Sequence, residues 1–310
     1  MLTARFDNFA VNRPGWSFAF DTPCRMRVAH TPAEVRDVVA EVDRATARGL
    51  WAVLALAYEA APAFDAALRV HRSSAVPLAA VMVYTAPCAA TPAASDGAFR
   101  AGAWTQRVSR ADYDRAIAAI QAHIAAGDTY QVNYTFPLTT VFSGDAQAWY
   151  HALGAAQRAP YCAWLDLGRY HVISLSPELF FRRRGTLLES RPMKGTLPRG
   201  RWLEEDERNM ALLHASAKNR AENLMIVDMV RNDLGRVAMM GSVQVPALFE
   251  VERYATVLQM TSTVRCACAP ARTTVEILAA LFPCGSVTGA PKVRTMEIIH
   301  ELEPFARGIY

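Results

Sequence analysis

The sequence predicts an α+β fold, a mixed layered arrangement rather than regular βαβ winding. Three observations predict it. Four short strand-like runs follow one another between Tyr161 and Ser190, separated by Gly-bearing turns. Capped helical stretches stand before and after that run instead of alternating with single strands. No stretch repeats another at a fixed period.

In chain order, residues 31–49 read as a helix. Thr31 and Glu34 have capping-box spacing, apolar residues recur at helical intervals, and Gly49 stands at the stop. Trp51 to Ala57 and Leu78 to Tyr84 read as buried strands. Residues 86–98 are small, polar and Pro-bearing, a loop that divides the chain into an N-terminal α/β subdomain (1–98) and a second region (99–310). A short strand is expected near 102–108, then a helix from Ser109 to Ala126 ended by Gly127. Gln131 to Phe142 is rich in Val, Tyr, Phe and Thr and reads as one strand, with Pro137 weakening an edge. A helix at 146–157 precedes Tyr161–Leu167, Tyr170–Leu175, Leu179–Arg184 and Thr186–Ser190, read as one antiparallel meander. A charged segment (201–209) leads into a long helix (211–234) ended by Gly235. Strands near 242–245 and 256–265 and helices at 272–282 and 291–303 complete the pattern.

Composition excludes several classes. The 310 residues are 52% hydrophobic and 20% charged, too apolar for a disordered tail and long enough to bury a core without disulfides. No apolar run approaches the ~18 residues of a membrane helix. The start, MLTARFDNFAVNRPGW, has no apolar signal core, so a cytoplasmic address is expected. A net charge of +4 and the short cluster Arg182-Arg183-Arg184 make no nucleic-acid footprint. Of the six cysteines none forms a CxxC pair, and structural thiols are expected. Only three of the 33 basic residues are lysine: Lys194, Lys218 and Lys292. Either composition drift left them, or those places require a compact amine that can lose its proton. All three fall in the most motif-like stretches.

Four stretches look unlike ordinary core. In Ser176-Pro177-Glu178-Leu179-Phe180, a Glu at a strand start among apolar residues is a candidate general acid, or a plain loop carboxylate. In Arg191-Pro192-Met193-Lys194-Gly195-Thr196-Leu197-Pro198-Arg199, two prolines and a glycine suggest a rigid turn. A partly dry Lys194 there is a candidate nucleophile, or a solvated turn lysine. On the helix starting at Lys218, Glu222 lies one turn on, either a surface ion pair with Lys218 or a carboxylate for a hard cation such as Mg²⁺. Cys284-Gly285-Ser286-Val287-Thr288-Gly289-Ala290-Pro291-Lys292 places Gly and hydroxyl residues before a helix N-terminus, an anion cradle without Walker spacing. A carboxylate ligand suits it better than a nucleotide.

In register, these segments resemble the chorismate-utilising enzymes: anthranilate synthase component I, aminodeoxychorismate synthase component I, and the isochorismate and salicylate synthases. SPELFF (176–181), RPMKGTLPRG (191–200), AENLMIVDMVRNDLGRV (221–237), SVQVPALFEVERYATVLQMTSTV (242–264) and GSVTGAPKVRTMEIIHELEP (285–304) carry the resemblance strongly over 130–310. LAYEAAPAF (56–64) carries it weakly over 1–129. It implies a layered α/β/β/α sandwich, with 99–310 as the chorismate-binding catalytic region. The PMKGT stretch is similar to the aminodeoxychorismate synthase pattern, where anthranilate and isochorismate synthases usually carry Ala at the Lys194 position.

By this resemblance Lys194 attacks C2 of chorismate as the 4-hydroxyl leaves with help from Glu178, and ammonia adds at C4 and expels the lysine. Gly195, Thr196, Ser286, Gly289, Gln259 and Tyr310 are implied in substrate binding, and Glu222 as a Mg²⁺ ligand. A glutamine amidotransferase is implied as ammonia source. Gln259 stands where many members have His, and Asn219 where many have an acid. Relatives of this kind continue about a hundred residues further, so a chain truncated at its C-terminus is expected. The competing expectations are anthranilate synthase component I and a non-catalytic remnant of the family.

Overall fold

The computed structural model describes residues 3–10, 16–72, 76–89 and 97–310. Most of the expected 86–98 loop, residues 90–96, lies outside the described residues.

Strands β1 (Ala4–Asp7), β2 (Ser17–Phe20) and β3 (Arg25–Ala29) precede helix α1 (Pro32–Thr46). Its start is fixed as expected: the Glu34 carboxylate accepts from the backbone N–H groups of His30 and Thr31 at 2.8 and 2.9 Å. Next come β4 (Trp51–Leu56), a 3₁₀ turn (Tyr58–Ala63), β5 (Ala79–Tyr84), β6 (Phe99–Ala101), β7 (Thr105–Gln106) and α2 (Arg110–Ala125). Then follow β8 (Gln131–Val132), β9 (Leu138–Thr139), β10 (Phe142–Gly144) and α3 (Ala146–Gln157), capped by Asp145. The next run is β11 (Tyr161–Asp166), β12 (His171–Ser176), β13 (Leu179–Arg184), β14 (Leu187–Arg191) and β15 (Met193–Pro198). Helices α4 (Leu203–Ala215) and α5 (Ala217–Gly235) lead to β16 (Gln244–Arg253) and β17 (Val257–Ala267). Helix α6 (Thr274–Leu281), a 3₁₀ turn (Gly285–Val287), β18 (Gly289–Ala290) and α7 (Lys292–Leu302) complete the order.

Two sheets stack face to face. One has the order β12-β11-β1-β2 and the other β3-β5-β4. The side-chain alternation of strands assigns each face. On β5, Ala79, Val81 and Val83 meet Val35, Val38 and Val39 of α1, while Ala80, Met82 and Tyr84 meet Ala4, Phe20 and Leu165 of the facing sheet. On β11, Leu165 points to that interface and Cys162 and Trp164 point the other way, onto Tyr150 of α3. The layers therefore run α1, sheet, sheet, α3, the α/β/β/α sandwich that was expected. The β1–β11 pair joins segments from either side of residue 98.

A third sheet carries the candidate site. The eleven-residue β17 is its spine: β14 and then β15 pair along one edge and β16 along the other. Helix α5 covers it through Ile226, Val227 and Val230, packed on Leu188, Val264 and Cys266. Helix α6 wedges between α1 and α5, contributing Leu278 to one core and Ile277 and Leu281 to the other.

Six readings are corrected. Trp51–Ala57 is not a buried strand: β4 is an edge strand with alternating exposure, and β5 is the buried one. The expected strand 131–142 is three pieces with different partners, β8 with β18, β9 with β7 and β10 with β6, because Pro137 has no N–H for a continuous ladder. Within the strand expected at 102–108 the structure forms the two-residue β7, and β6 ends before it at Ala101. The meander of 161–190 breaks at Pro177, sending β11 and β12 to one sheet and β13 and β14 to another. The helix of 211–234 is two helices: Ser216 leaves the helical region at ψ 109° and its hydroxyl caps α5 by accepting from the Asn219 N–H. Strands 244–253 and 257–267 are longer than expected because each is held along its length by the other. Among the described residues no helix is long and apolar enough to cross a membrane.

Candidate active site

The stretch around Lys194 is not a turn. It is β15, paired with β17, and its register slips between Met193 and Thr196. The slip is a β-bulge built on Gly195, whose φ of +96° suits glycine. Close approach demands glycine too: a Cβ at 195 would stand 3.0 Å from Cβ of Asn219 on α5. The bulge turns the Lys194 side chain toward the 284–291 loop, where its Nζ donates to the Ser286 carbonyl at 3.2 Å.

Glu178 sits in the two-residue gap between β12 and β13, the point where the chain changes sheets. The Ser286 hydroxyl and the Met193 N–H donate to its carboxyl, and the Lys194 charge acts on it. Burial outweighs all three and raises its pKa above the usual carboxylate range. Ser286, itself buried, thus offers its carbonyl to the amine and its hydroxyl to the acid. The Cys284 thiol lies 3.2 Å from the Ser286 hydroxyl and is pushed up to about 11 by burial and then by the charge of Glu178.

The other expected residues are placed as follows. Thr196 donates to Oε1 of Gln259 at 3.1 Å, a cross-strand pair on β15 and β17 one residue past the bulge. Gly289 lies in β18 at φ +147°, and a Cβ there would strike the Gln131 carbonyl oxygen at 1.9 Å. Glu222 stands on α5 one turn from Asn219, 3.9 Å from Lys218, with 42% of its side chain exposed. A hard cation prefers oxygen donors, and the half-exposed Glu222 carboxylate is a donor of that kind. Among the described residues no three His, Cys, Asp or Glu side chains gather as metal donors. Tyr310 is more remote: its hydroxyl accepts from Asn133, whose amide also donates to the Val287 carbonyl next to Ser286. Lys194, Gly195, Glu178 and Ser286 thus converge directly. Thr196 and Gln259 flank them, Glu222 borders them, and Tyr310 joins through Asn133.

Sequence reasoning missed the supports. Asn223, 1% exposed, donates to the carbonyls of Met260 at 3.3 Å and of Lys194 at 3.5 Å, and accepts from the Ser262 hydroxyl at 2.6 Å. It lies within the helix motif, but nothing in its spacing separates it from a surface Asn. Arg307 is buried between the Tyr58 and Tyr310 rings and donates to Glu303, Val287 and Asn133. Arg307 lies beyond the end of α7, where a spacing of four from Glu303 is no helical signal, so nothing local marked it.

Known proteins match most of this chain. Aminodeoxychorismate synthase component 1 of Klebsiella aerogenes is 45% identical over 233 residues, 75% of this chain and 50% of that protein. Anthranilate synthase component 1 of Streptomyces coelicolor is 42% identical over 208 residues, 67% of this chain and 41% of that protein. The chain spans about half the length of the curated relatives it matches. In fold, it resembles anthranilate synthase component I from Streptococcus pneumoniae with a TM-score of 0.77 at 22% identity, covering 100% of this chain and 78% of that one. The family model described as chorismate binding enzyme matches residues 7–310, a span that takes in β15, the 178 junction and the 284–291 loop together, and the chain belongs to that family.

Proposed function

We propose that this chain carries the catalytic site of an aminodeoxychorismate synthase component 1, converting chorismate and ammonia to 4-amino-4-deoxychorismate, a step toward para-aminobenzoate and folate. The observation that carries the reading is the convergence of one amine, Lys194, and one buried carboxyl, Glu178, on Ser286. An amine nucleophile and a carboxylic acid are what displacement of an allylic hydroxyl by a covalent route requires. Burial keeps Glu178 protonated further up the pH scale than a surface carboxyl, the state that delivers a proton to the departing 4-hydroxyl. The unprotonated Lys194 amine forms the bond to C2 as the C4–O bond breaks. Ammonia then adds at C4 and the C2–N bond breaks, returning the lysine.

Gly195, Thr196, Gln259, Ser286 and Gly289 line the substrate in this reading, and Tyr310 meets its enolpyruvyl end. Glu222 is the residue assigned to Mg²⁺, whose chemistry would be to neutralise the ring carboxylate. A glutamine amidotransferase subunit supplies ammonia. Six free cysteines are in keeping with a cytoplasmic address.

Chorismate, ammonium and Mg²⁺ supplied to the purified chain should yield aminodeoxychorismate, with turnover lost in Lys194→Ala. Anthranilate as the product would replace this reading with anthranilate synthase. A folded chain that binds chorismate without turnover would make it a binding remnant.

A further inference from the structure

Three lysines survive in an arginine-rich chain, and the proposed chemistry uses one. Lys218 makes a loose, exposed pair with Glu222. Lys292 is different. It is the first residue of α7, and its Nζ donates to Oδ2 of Asp233 at 2.7 Å and to the Leu281 carbonyl at 3.4 Å. The two side chains are 14% and 8% exposed.

The pair is poorly explained as a stabiliser. Burial raises the Asp233 pKa despite the neighbouring Lys292 and Arg236 charges, so desolvation outweighs their attraction. Buried ion pairs of this kind can often be replaced by apolar residues with no loss of stability. What the pair does is geometric. Asp233 lies in the last turn of α5, the helix whose first turn abuts Gly195 and whose Asn223 bonds the Lys194 carbonyl. Leu281 ends α6 and Lys292 begins α7, so one ammonium joins both ends of the 282–291 segment to α5. Between those ends lies Ser286, the partner of both Lys194 and Glu178. The middle of the segment rests on the same helix: a Cβ at Gly285 would meet the Met229 side chain at 2.3 Å.

We infer that the Lys292–Asp233 pair is a positioning strut that fixes the loop bearing Ser286 against β15, making Lys292 and Asp233 positioning residues for the reaction. The kinetic side of this inference rests on the function proposed above; the geometric side does not. A compact amine is required because Nζ must reach a carboxylate and a carbonyl at once. The planar guanidinium of arginine presents a wider fork.

Three lysines also make the test direct, because ¹³Cε-lysine NMR of the full chain gives three signals, assigned by single substitution. In the double variant Lys292→Met/Asp233→Leu both buried charges are gone, so the fold should persist by near-UV circular dichroism. The Lys194 signal should nevertheless shift, kcat should fall about tenfold with KM within about twofold, and Lys292→Arg should not restore kcat. An unmoved Lys194 signal in the folded double variant, or unchanged kcat, overturns the strut. If the wild-type chain turns over no chorismate, the functional reading fails while the Lys194 signal still decides the geometry. If the double variant fails to fold, the pair is a stability element and the inference is overturned as well.

Discussion

Replacing Gly195 with Ala should cost more stability than a methyl group suggests, for two separable reasons. The residue sits at φ +96°, where an L side chain loses about 1–2 kcal/mol to the contact between Cβ and backbone. The added Cβ would also lie 3.0, 3.2 and 3.3 Å from Cβ, Cγ and Oδ1 of Asn219, all short of ordinary contact. Overpacking of that kind costs about 1–3 kcal/mol. Together the loss should be about 2–5 kcal/mol. Urea unfolding followed by the fluorescence of the six tryptophans measures it. The two parts separate in an Asn219→Gly background, where the steric part disappears and Gly195→Ala should cost only the backbone part, about 1–2 kcal/mol. A loss below about 0.5 kcal/mol, the range of an ordinary surface change, would refute the bulge geometry as the reason for glycine. An undiminished loss in the Asn219→Gly background would refute the contact with α5.

Other outcomes follow from the same physics. The folded pKa of Glu178 is raised, so its stability contribution is complete below the unfolded pKa of 4.5 and is lost as pH rises through the folded value. Glu178→Gln should therefore raise the melting temperature at pH 8 relative to wild type, and less so at pH 4, while abolishing turnover. An equal shift at both pH values would contradict a buried carboxyl. Glu276 behaves oppositely: the Thr273 N–H first, then the Arg272 and Thr273 side chains, hold it down to about 2, so its contribution is present above 4.5 and lost as pH falls through about 2. Thr273→Ala, which removes the helix cap, should cost about 1 kcal/mol at pH 7 by urea unfolding. Cys284, raised to about 11, should resist iodoacetamide at pH 8 while exposed Cys24 is alkylated, as peptide mass spectrometry would report. Rapid labelling of Cys284 would argue against its burial beside Glu178.

Local signals in the sequence were legible wherever one residue type does one job. Thr31 with Glu34 and Ser109 mark helix starts, because a side-chain oxygen there satisfies a backbone N–H without tertiary help, whereas the caps Asp145 and Thr273 went unread although the helices they begin were expected. The four motif stretches were legible as chemistry because amines, carboxyls and glycines stand out from apolar surroundings. What was not legible was set by partners distant in the chain. Nothing local says that Pro177 separates two sheets, or that Lys194 belongs to a strand, since the bulge that turns it exists only through pairing with β17. The single helix expected at 211–234 failed because Ser216 reads equally as a helical residue and as a cap. Asn223 and Asp233 were invisible for the same reason: a polar residue on a helix declares itself structural only when its partner from another element is in place.

The pairing of β1 with β11 has a consequence for how the chain is made. Arg5 must wait for Trp164, a partner about 160 residues later. At roughly 5–20 residues per second, ribosomal synthesis leaves β1 without that neighbour for about 8–30 s. Throughout that interval the β1–β2 hairpin presents a bare strand edge and the apolar side chains of Phe6 and Phe20. The nascent chain is therefore vulnerable around β1 and β2 while that partner is missing, and the sandwich can close only once β11 has been made.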